Sequence, residues 1–182
     1  MKVTHRLTPL FEILGFVGIA FISKKLADPF FWRFSGPVML IGTLILLTIY
    51  MHFRGENWRM LGLIRLEDLK GKLMIFPKVL LAAVAFCATV GIVLFGGRAI
   101  GLEFLNALPT GAEDRWGDVI GNLPLYLLWL SIAWISAGFG EEMFFRGFLI
   151  TKFQAVFFGM KFASLLSIIL AALIFGFGHY YY

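Results

Sequence analysis

Charged residues are scarce in this sequence. They make up 15% of the 182 residues, whereas 60% are hydrophobic, and a soluble domain carries about 25% charged residues. The mean hydropathy is +0.87. These values exclude an ordinary soluble domain and predict an integral membrane protein in contact with lipid. The net charge of +5 lies mostly between the apolar runs, which indicates membrane topology and argues against a nucleic-acid partner.

Cysteine and histidine are also rare. The single cysteine, Cys87, excludes an intrachain disulfide and a zinc site made of cysteines. Because Cys87 lies in an apolar run, we expect a small buried side chain. The histidines are His5, His52 and His179. His52 comes just before Arg54 at the end of an apolar run, so we interpret it as an interfacial residue in preference to a metal ligand.

Apolar runs take up most of the remaining sequence. They predict an all-α, polytopic helical bundle that forms one membrane domain over residues 1–182, with about five spans. The predicted spans are residues 7–23, 37–53, 73–95, 124–150 and 162–182. The first run contains Glu12 and lacks a cleavage site, so we interpret it as a retained first span or a half-buried helix and not as a secretory signal. A position near the membrane interface is the simplest expectation for Glu12, and a role in a site is the alternative.

Lysine and arginine are distributed unevenly among the connections. They concentrate at the N-terminus and after the second and fourth runs, which predicts that this side, including the N-terminus, is cytoplasmic. The loop at 24–36 fits this pattern poorly. The connection at 54–72 interleaves basic and apolar residues, and we expect it to lie on the membrane surface.

Three ionisable residues interrupt the fourth run. Such groups are costly within a bilayer and usually face a protein interior or a water-filled cavity. Glu142 and Arg146 are four residues apart with the acid first, the favourable order for an ion pair on a helix. Glu141 points about 100° away from Glu142 and has Phe145 at its own fourth position. An unpaired carboxylate of this kind suits a general base.

The fifth run contains a possible partner for Glu141. In an antiparallel hairpin, residues equidistant from the turn meet, and residue 160 is midway between Glu141 and His179. The two side chains are therefore predicted to lie at similar depth. A helix break near Gly147, or a hairpin that projects from the membrane, would move the pair toward the cytoplasmic half. Small residues before Glu141, including Gly138 and Gly140, predict the close approach of another helix.

Two motifs in these runs resemble a known family. Glu141-Glu142-x-x-x-Arg146, followed by Phe175-x-x-x-His179, is similar to the CAAX protease and bacteriocin-processing family. That family includes the type II CAAX prenyl endopeptidases and the Abi proteins linked to bacteriocin immunity. The segments 145–149 and 58–63 also resemble it, and the resemblance covers roughly residues 56–182.

The resemblance implies a mechanism and a set of roles. Glu141 would activate water and His179 would bind a metal or stabilise the oxyanion, while Glu142, Arg146 and Phe175 would shape the site. Glu141, Glu142 and His179 are the candidate ligands if the family chemistry uses zinc; a metal-free glutamate mechanism is the alternative. The substrate would be a peptide bond near the membrane surface, in a prenylated C-terminal tail or in a leader peptide.

One departure from the family pattern changes the expectation for activity. The family has a third motif, a histidine followed four residues later by asparagine or aspartate, and this sequence has none. We therefore expect a truncated chain that is inactive alone. The competing interpretation is a non-catalytic membrane protein, such as an immunity or partner-binding protein, or an inactive fragment of the protease.

Overall fold

The computed structural model describes residues 4–103 and 116–179, with side chains from residue 7. Within these ranges the regular structure is helical, which confirms the predicted all-α class. The five main helices are α1 (Thr4–Phe31), α2 (Ser35–Phe53), α3 (Leu69–Ala99), α4 (Leu123–Val156) and α5 (Ala163–His179). Short 3₁₀ turns occupy Trp58–Leu61 and Gly117–Val119. The last three residues of the fifth predicted run lie outside the described residues.

The helices are long and apolar, as expected for a protein in a bilayer. Among the described residues, α2, α3 and α4 have the length and hydropathy to cross a membrane, and α5 is a shorter apolar helix. The chain is therefore an integral membrane protein. Each of the five predicted runs coincides with a helix, while the number of crossings stays a prediction.

The chain divides into two compact units. Residues 64–117 form the smaller unit, and residues 1–63 with 118–182 form the larger one. In the smaller unit the side chain of Asp68 accepts a hydrogen bond from the backbone N–H of Gly71 at 2.7 Å, which starts α3. Cys87 is exposed on the surface of α3, so the prediction that it is buried is wrong. A small apolar thiol is tolerated on a helix surface that lipid can cover.

The core of the larger unit is aromatic. Phe16 of α1 packs edge-on against Tyr50 of α2 at 5.4 Å between ring centroids, and against Phe148 of α4 at 5.5 Å. Phe148 and Leu47 are completely buried. These contacts hold α1, α2 and α4 together around one apolar centre.

Two glycines let neighbouring segments approach α4 closely. A Cβ atom at Gly140 would lie 3.0 Å from Leu40 Cδ2 and 3.3 Å from Leu44 Cδ1 of α2. A Cβ atom at Gly147 would lie 3.2 Å from the carbonyl oxygen of Leu61, in the turn Trp58–Leu61. The predicted close approach before Glu141 therefore occurs at Gly140, where α2 packs on α4.

Helix α4 changes geometry along its length. It is α-helical over Leu123–Ile132, π-helical over Ala133–Leu149 and α-helical again over Ile150–Val156. The backbone N–H of Ile150 donates to the carbonyl oxygen of Phe145, five residues earlier. The helix continues through Gly147, so the break considered from the sequence does not occur. π-helical geometry is rare and is found mostly as single turns, often at functional sites; here it includes both glutamates.

An ion pair holds the start of α4 near the α1–α2 turn. The guanidinium of Arg33 donates to both carboxylate oxygens of Asp118, and lies 5.9 Å from the ring of Trp129. This ring stacks on Phe34 at 4.7 Å. The hydrogen bond from Arg33 lowers the pKa of Asp118, which lies before the membrane-spanning part of α4.

Candidate functional site

The structure brings Glu141 and His179 together between α4 and α5. Glu141 Oε1 lies 3.7 Å from His179 Nε2, as the hairpin spacing predicts. The Glu141 side chain is 25% exposed and that of His179 is 45% exposed. A separation of 3.7 Å is too long for a direct hydrogen bond. One water molecule could bridge the two polar atoms.

The orientation of His179 is fixed by its own helix. His179 Nδ1 lies 2.9 Å from the carbonyl oxygen of Phe175. A carbonyl oxygen only accepts, so Nδ1 carries the proton and donates it. In the neutral ring Nε2 is then the unprotonated nitrogen, and its lone pair is on the side of the ring that faces Glu141. The Phe175-x-x-x-His179 spacing thereby sets both the direction and the tautomer of the imidazole.

Glu142 faces a different partner from Glu141. Arg146 Nη1 donates to Glu142 Oε2 at 2.8 Å, the i, i+4 pair that the sequence predicts. The two side chains are 46% and 74% exposed, so they lie on the outside of the protein and not in its core. The two adjacent glutamates therefore have separate surroundings, one shared with a histidine and one with an arginine.

A cavity of about 240 Å³ lies beside this pair of glutamates. Apolar side chains from α4 and α5 form most of its wall, with carboxylates and a guanidinium along one side. Its lining residues are Glu141, Glu142, Phe145, Arg146, Ile150, Ile168, Ala171, Ala172 and Phe175. Phe145 packs edge-on against Phe175 at 5.0 Å, and Phe175 lies 4.2 Å from the His179 ring. The cavity has room for one apolar side chain and a few water molecules.

The described residues do not assemble the ligand set implied for zinc. Among them, no three histidine, cysteine, aspartate or glutamate side chains come close enough to hold a metal ion. A catalytic zinc usually has three protein ligands. Glu141 and His179 could supply two, but Glu142 is engaged by Arg146. His52 is exposed and packs against the ring of Phe53, and the side chain of His5 lies outside the described residues.

A second polar group was not predicted from the sequence. Five side chains from α1, α2, the following loop and α4 meet at the end of the bundle where α2 and α4 finish; we call them the charged cluster. Its members are Glu12, Tyr50, Arg54, Glu56 and Lys152. Glu12 is buried here, whereas an interfacial position was expected, and Lys152 is buried where the sequence indicated a loop charge. The sequence feature that could have indicated this cluster is the position of Glu12 inside an apolar run.

Comparison with known proteins finds a similarity over one part of the chain. No curated protein and no solved structure matches it. Residues 123–182, which comprise α4 and α5, match the family model described as type II CAAX prenyl endopeptidase Rce1-like. This segment contains both motifs on which the resemblance rests. This C-terminal part, which contains the adjacent glutamates and His179, is similar to the Rce1-like type II CAAX prenyl endopeptidase family.

Proposed function

We propose that this protein is an intramembrane endopeptidase of the CAAX type, with Glu141 as the base that activates water. The observation that carries the proposal is the 3.7 Å separation of Glu141 Oε1 and His179 Nε2 beside the cavity. A water molecule between them would donate one hydrogen to the carboxylate and the other to the unprotonated nitrogen. Both contacts orient its lone pairs toward a bound carbonyl group.

The proposed reaction uses the residues of this chain. Water oxygen attacks the carbonyl carbon of the scissile peptide bond as its proton moves to Glu141. The tetrahedral intermediate then collapses, the C–N bond breaks, and Glu141 returns the proton to the leaving amine. Arg146 lines the same cavity and is the cation that could stabilise the developing oxyanion. Because the described residues provide two zinc ligands and not three, no step is assigned to a metal.

The cavity supports the proposed class of substrate. Its walls are mainly apolar, and three ionisable groups line one side. A peptide with an apolar side chain next to the scissile bond fits such a site. We propose that the peptide belongs to a prenylated C-terminal tail or to a leader peptide, held at the membrane by its lipid or its apolar segment.

A non-catalytic role is the second candidate. It is favoured by the hydrogen bond between Arg146 Nη1 and Glu142, which occupies part of the guanidinium that the oxyanion would need. In this case the protein would be an immunity or partner-binding membrane protein, and the polar groups would recognise a peptide without cleaving it.

One assay separates these candidates. The purified chain is reconstituted in liposomes with a farnesylated peptide or a leader peptide, in water enriched in ¹⁸O. The missing third motif predicts an inactive chain, whereas the proposal from Glu141 and His179 predicts cleavage that persists after treatment with EDTA, with one ¹⁸O atom in the new carboxylate from direct attack by water. Liposomes with the Glu67→Gln protein, changed at an exposed residue of the other unit, serve as the matched control. Peptide binding without any cleavage would reject the endopeptidase and support the non-catalytic candidate.

We further propose that the N-terminus is cytoplasmic. The start of α1 and the ends of α2 and α4 lie at the same end of the bundle, because the charged cluster joins them. This end carries the lysine- and arginine-rich connections, which favour the cytoplasmic side. A tag at the N-terminus should be digested by protease added to inside-out vesicles; a tag that is digested only in right-side-out vesicles would reverse the orientation.

A further inference from the structure

The charged cluster is a network in which every ion has a partner, with Glu12 and Lys152 buried and Arg54 at its exposed edge. Lys152 Nζ contacts Glu12 Oε2 at 2.8 Å and Glu56 Oε2 at 2.9 Å. Tyr50 Oη donates to Glu12 Oε1 at 2.8 Å, and Arg54 Nη2 lies 3.6 Å from both carboxylates. Two cations and two anions therefore balance. None of these residues reaches the cavity beside Glu141.

The network lies one helical turn away from the aromatic core along α1 and α4. Glu12 and Phe16 are four residues apart on α1, and Phe148 and Lys152 are four residues apart on α4. Glu12 meets Lys152, and Phe16 meets Phe148. The helices are therefore antiparallel at this contact, with one apolar layer and one ionic layer between them.

An ionic layer specifies register more strictly than an apolar layer. If α4 slipped or rotated by one position, Lys152 would leave the buried carboxylate of Glu12 and the partly buried carboxylate of Glu56 without their closest cation, which is unfavourable. Phe148 could repack at a smaller cost. Fixing register is the best-attested role of buried polar groups. Here the helix whose register is fixed is α4, which also carries Glu141 and Glu142.

The geometry of α4 makes such control necessary. The segment Ala133–Leu149 is π-helical, and a π-helical turn contains more residues than an α-helical turn. If one turn returned to α-helical geometry, Glu141 would rotate about the helix axis relative to Lys152. The direction of Glu141 therefore depends on how both ends of this segment are held.

We propose that Glu12, Glu56 and Lys152 are positioning residues that fix the rotation of α4 and so hold Glu141 opposite His179. Their effect on the distance between α4 and α5 can be measured whether or not the protein cleaves peptides. Their effect on cleavage rests on the proposed function.

The test measures this geometry by dipolar EPR. Nitroxide labels are attached to cysteines at Phe139 of α4 and Phe177 of α5, both exposed, in a Cys87→Ala background. Lys152→Met is compared with Lys152→Arg, which keeps the charge. The matched control is Lys161→Met, which removes the same charge from an exposed position between α4 and α5.

A charge-balanced variant separates positioning from stability. Glu12→Gln combined with Lys152→Met removes one anion and one cation and leaves Arg54 with Glu56. Lys152→Met alone should lower the melting temperature in detergent by on the order of 10 °C, and the double variant should regain most of this loss. Both should shift or broaden the label distance by about 1.5 Å or more, the rise of one residue. Lys152→Arg and Lys161→Met should retain the parental distance.

A parental distance distribution in the double variant would overturn the proposal, because α4 would then keep its rotation without the ion pair of Glu12 and Lys152. If the protein cleaves peptide, the double variant should lower kcat by about a hundredfold with little change in KM. A protein without any cleavage activity would reject the proposed function, while the EPR result would still decide the positioning role.

Discussion

Glu141→Gln is expected to lower the rate of peptide cleavage by about a hundredfold to ten-thousandfold, the usual contribution of a general base. Glutamine keeps the shape of the side chain but cannot accept a proton from water. The carboxylate of Glu141 faces the cavity and His179 and lies outside the buried aromatic core. The folded protein should therefore survive the change, and thermal unfolding in detergent should show a melting temperature close to that of the parent.

A double-mutant cycle tests whether Glu141 acts together with His179. We expect His179→Ala to cause a loss similar to that of Glu141→Gln, because the imidazole orients the same water molecule. Combining the two changes should then cost little more than either alone, since residues that act as a unit are non-additive. Glu67→Gln controls for the loss of a carboxylate elsewhere. Parental activity in Glu141→Gln would exclude Glu141 as the base.

Phe148→Ala is expected to destabilise the protein by about 3–5 kcal/mol, the range for removing a buried aromatic side chain. Phe148 is completely buried and its ring contacts Phe16 and Phe144, so truncation leaves a cavity between α1 and α4. The measurement is unfolding in mixed micelles with increasing denaturing detergent.

Phe139→Ala is the matched control for this change. Phe139 belongs to the same π-helical segment, but its side chain is 53% exposed, so lipid or detergent can replace the lost contacts. We expect its effect to be well below 1 kcal/mol. Equal losses of stability for the two variants would show that the contact between α1 and α4 is not the core of the larger unit.

The features that the sequence predicted depend on short-range geometry. Glu142 and Arg146 are one helical turn apart, so helix formation alone brings them together. Glu141 and His179 belong to consecutive helices joined by a short connection, so counting residues from the turn predicts their meeting. The apolar runs predict helices because a bilayer requires backbone hydrogen bonds to be made within each segment.

The features that the sequence did not predict depend on long-range packing. The contact between Glu12 and Lys152 requires α1 to lie against the end of α4, and no local pattern specifies that pairing. The π-helical geometry of α4 is equally hidden, because propensities describe which residues favour a helix and not how many residues form each turn. The exposure of Cys87 shows that apolar character does not distinguish a lipid-facing position from a protein core.

The two sides of α4 are held by forces of different kinds. Toward α1 and α2 the contact contains buried charges, whereas toward α5 it contains Phe145, Phe175, Ala171 and Ala172, with His179 at its end. In a bilayer, lipid tails replace apolar helix contacts at little cost, but they cannot replace an ionic partner. Lateral displacement of α5 is thus the easier motion. It would widen the cavity toward the lipid for the lipid-anchored peptide proposed above and, in the same movement, separate His179 from Glu141, so that the pair would be assembled again only when α5 returns.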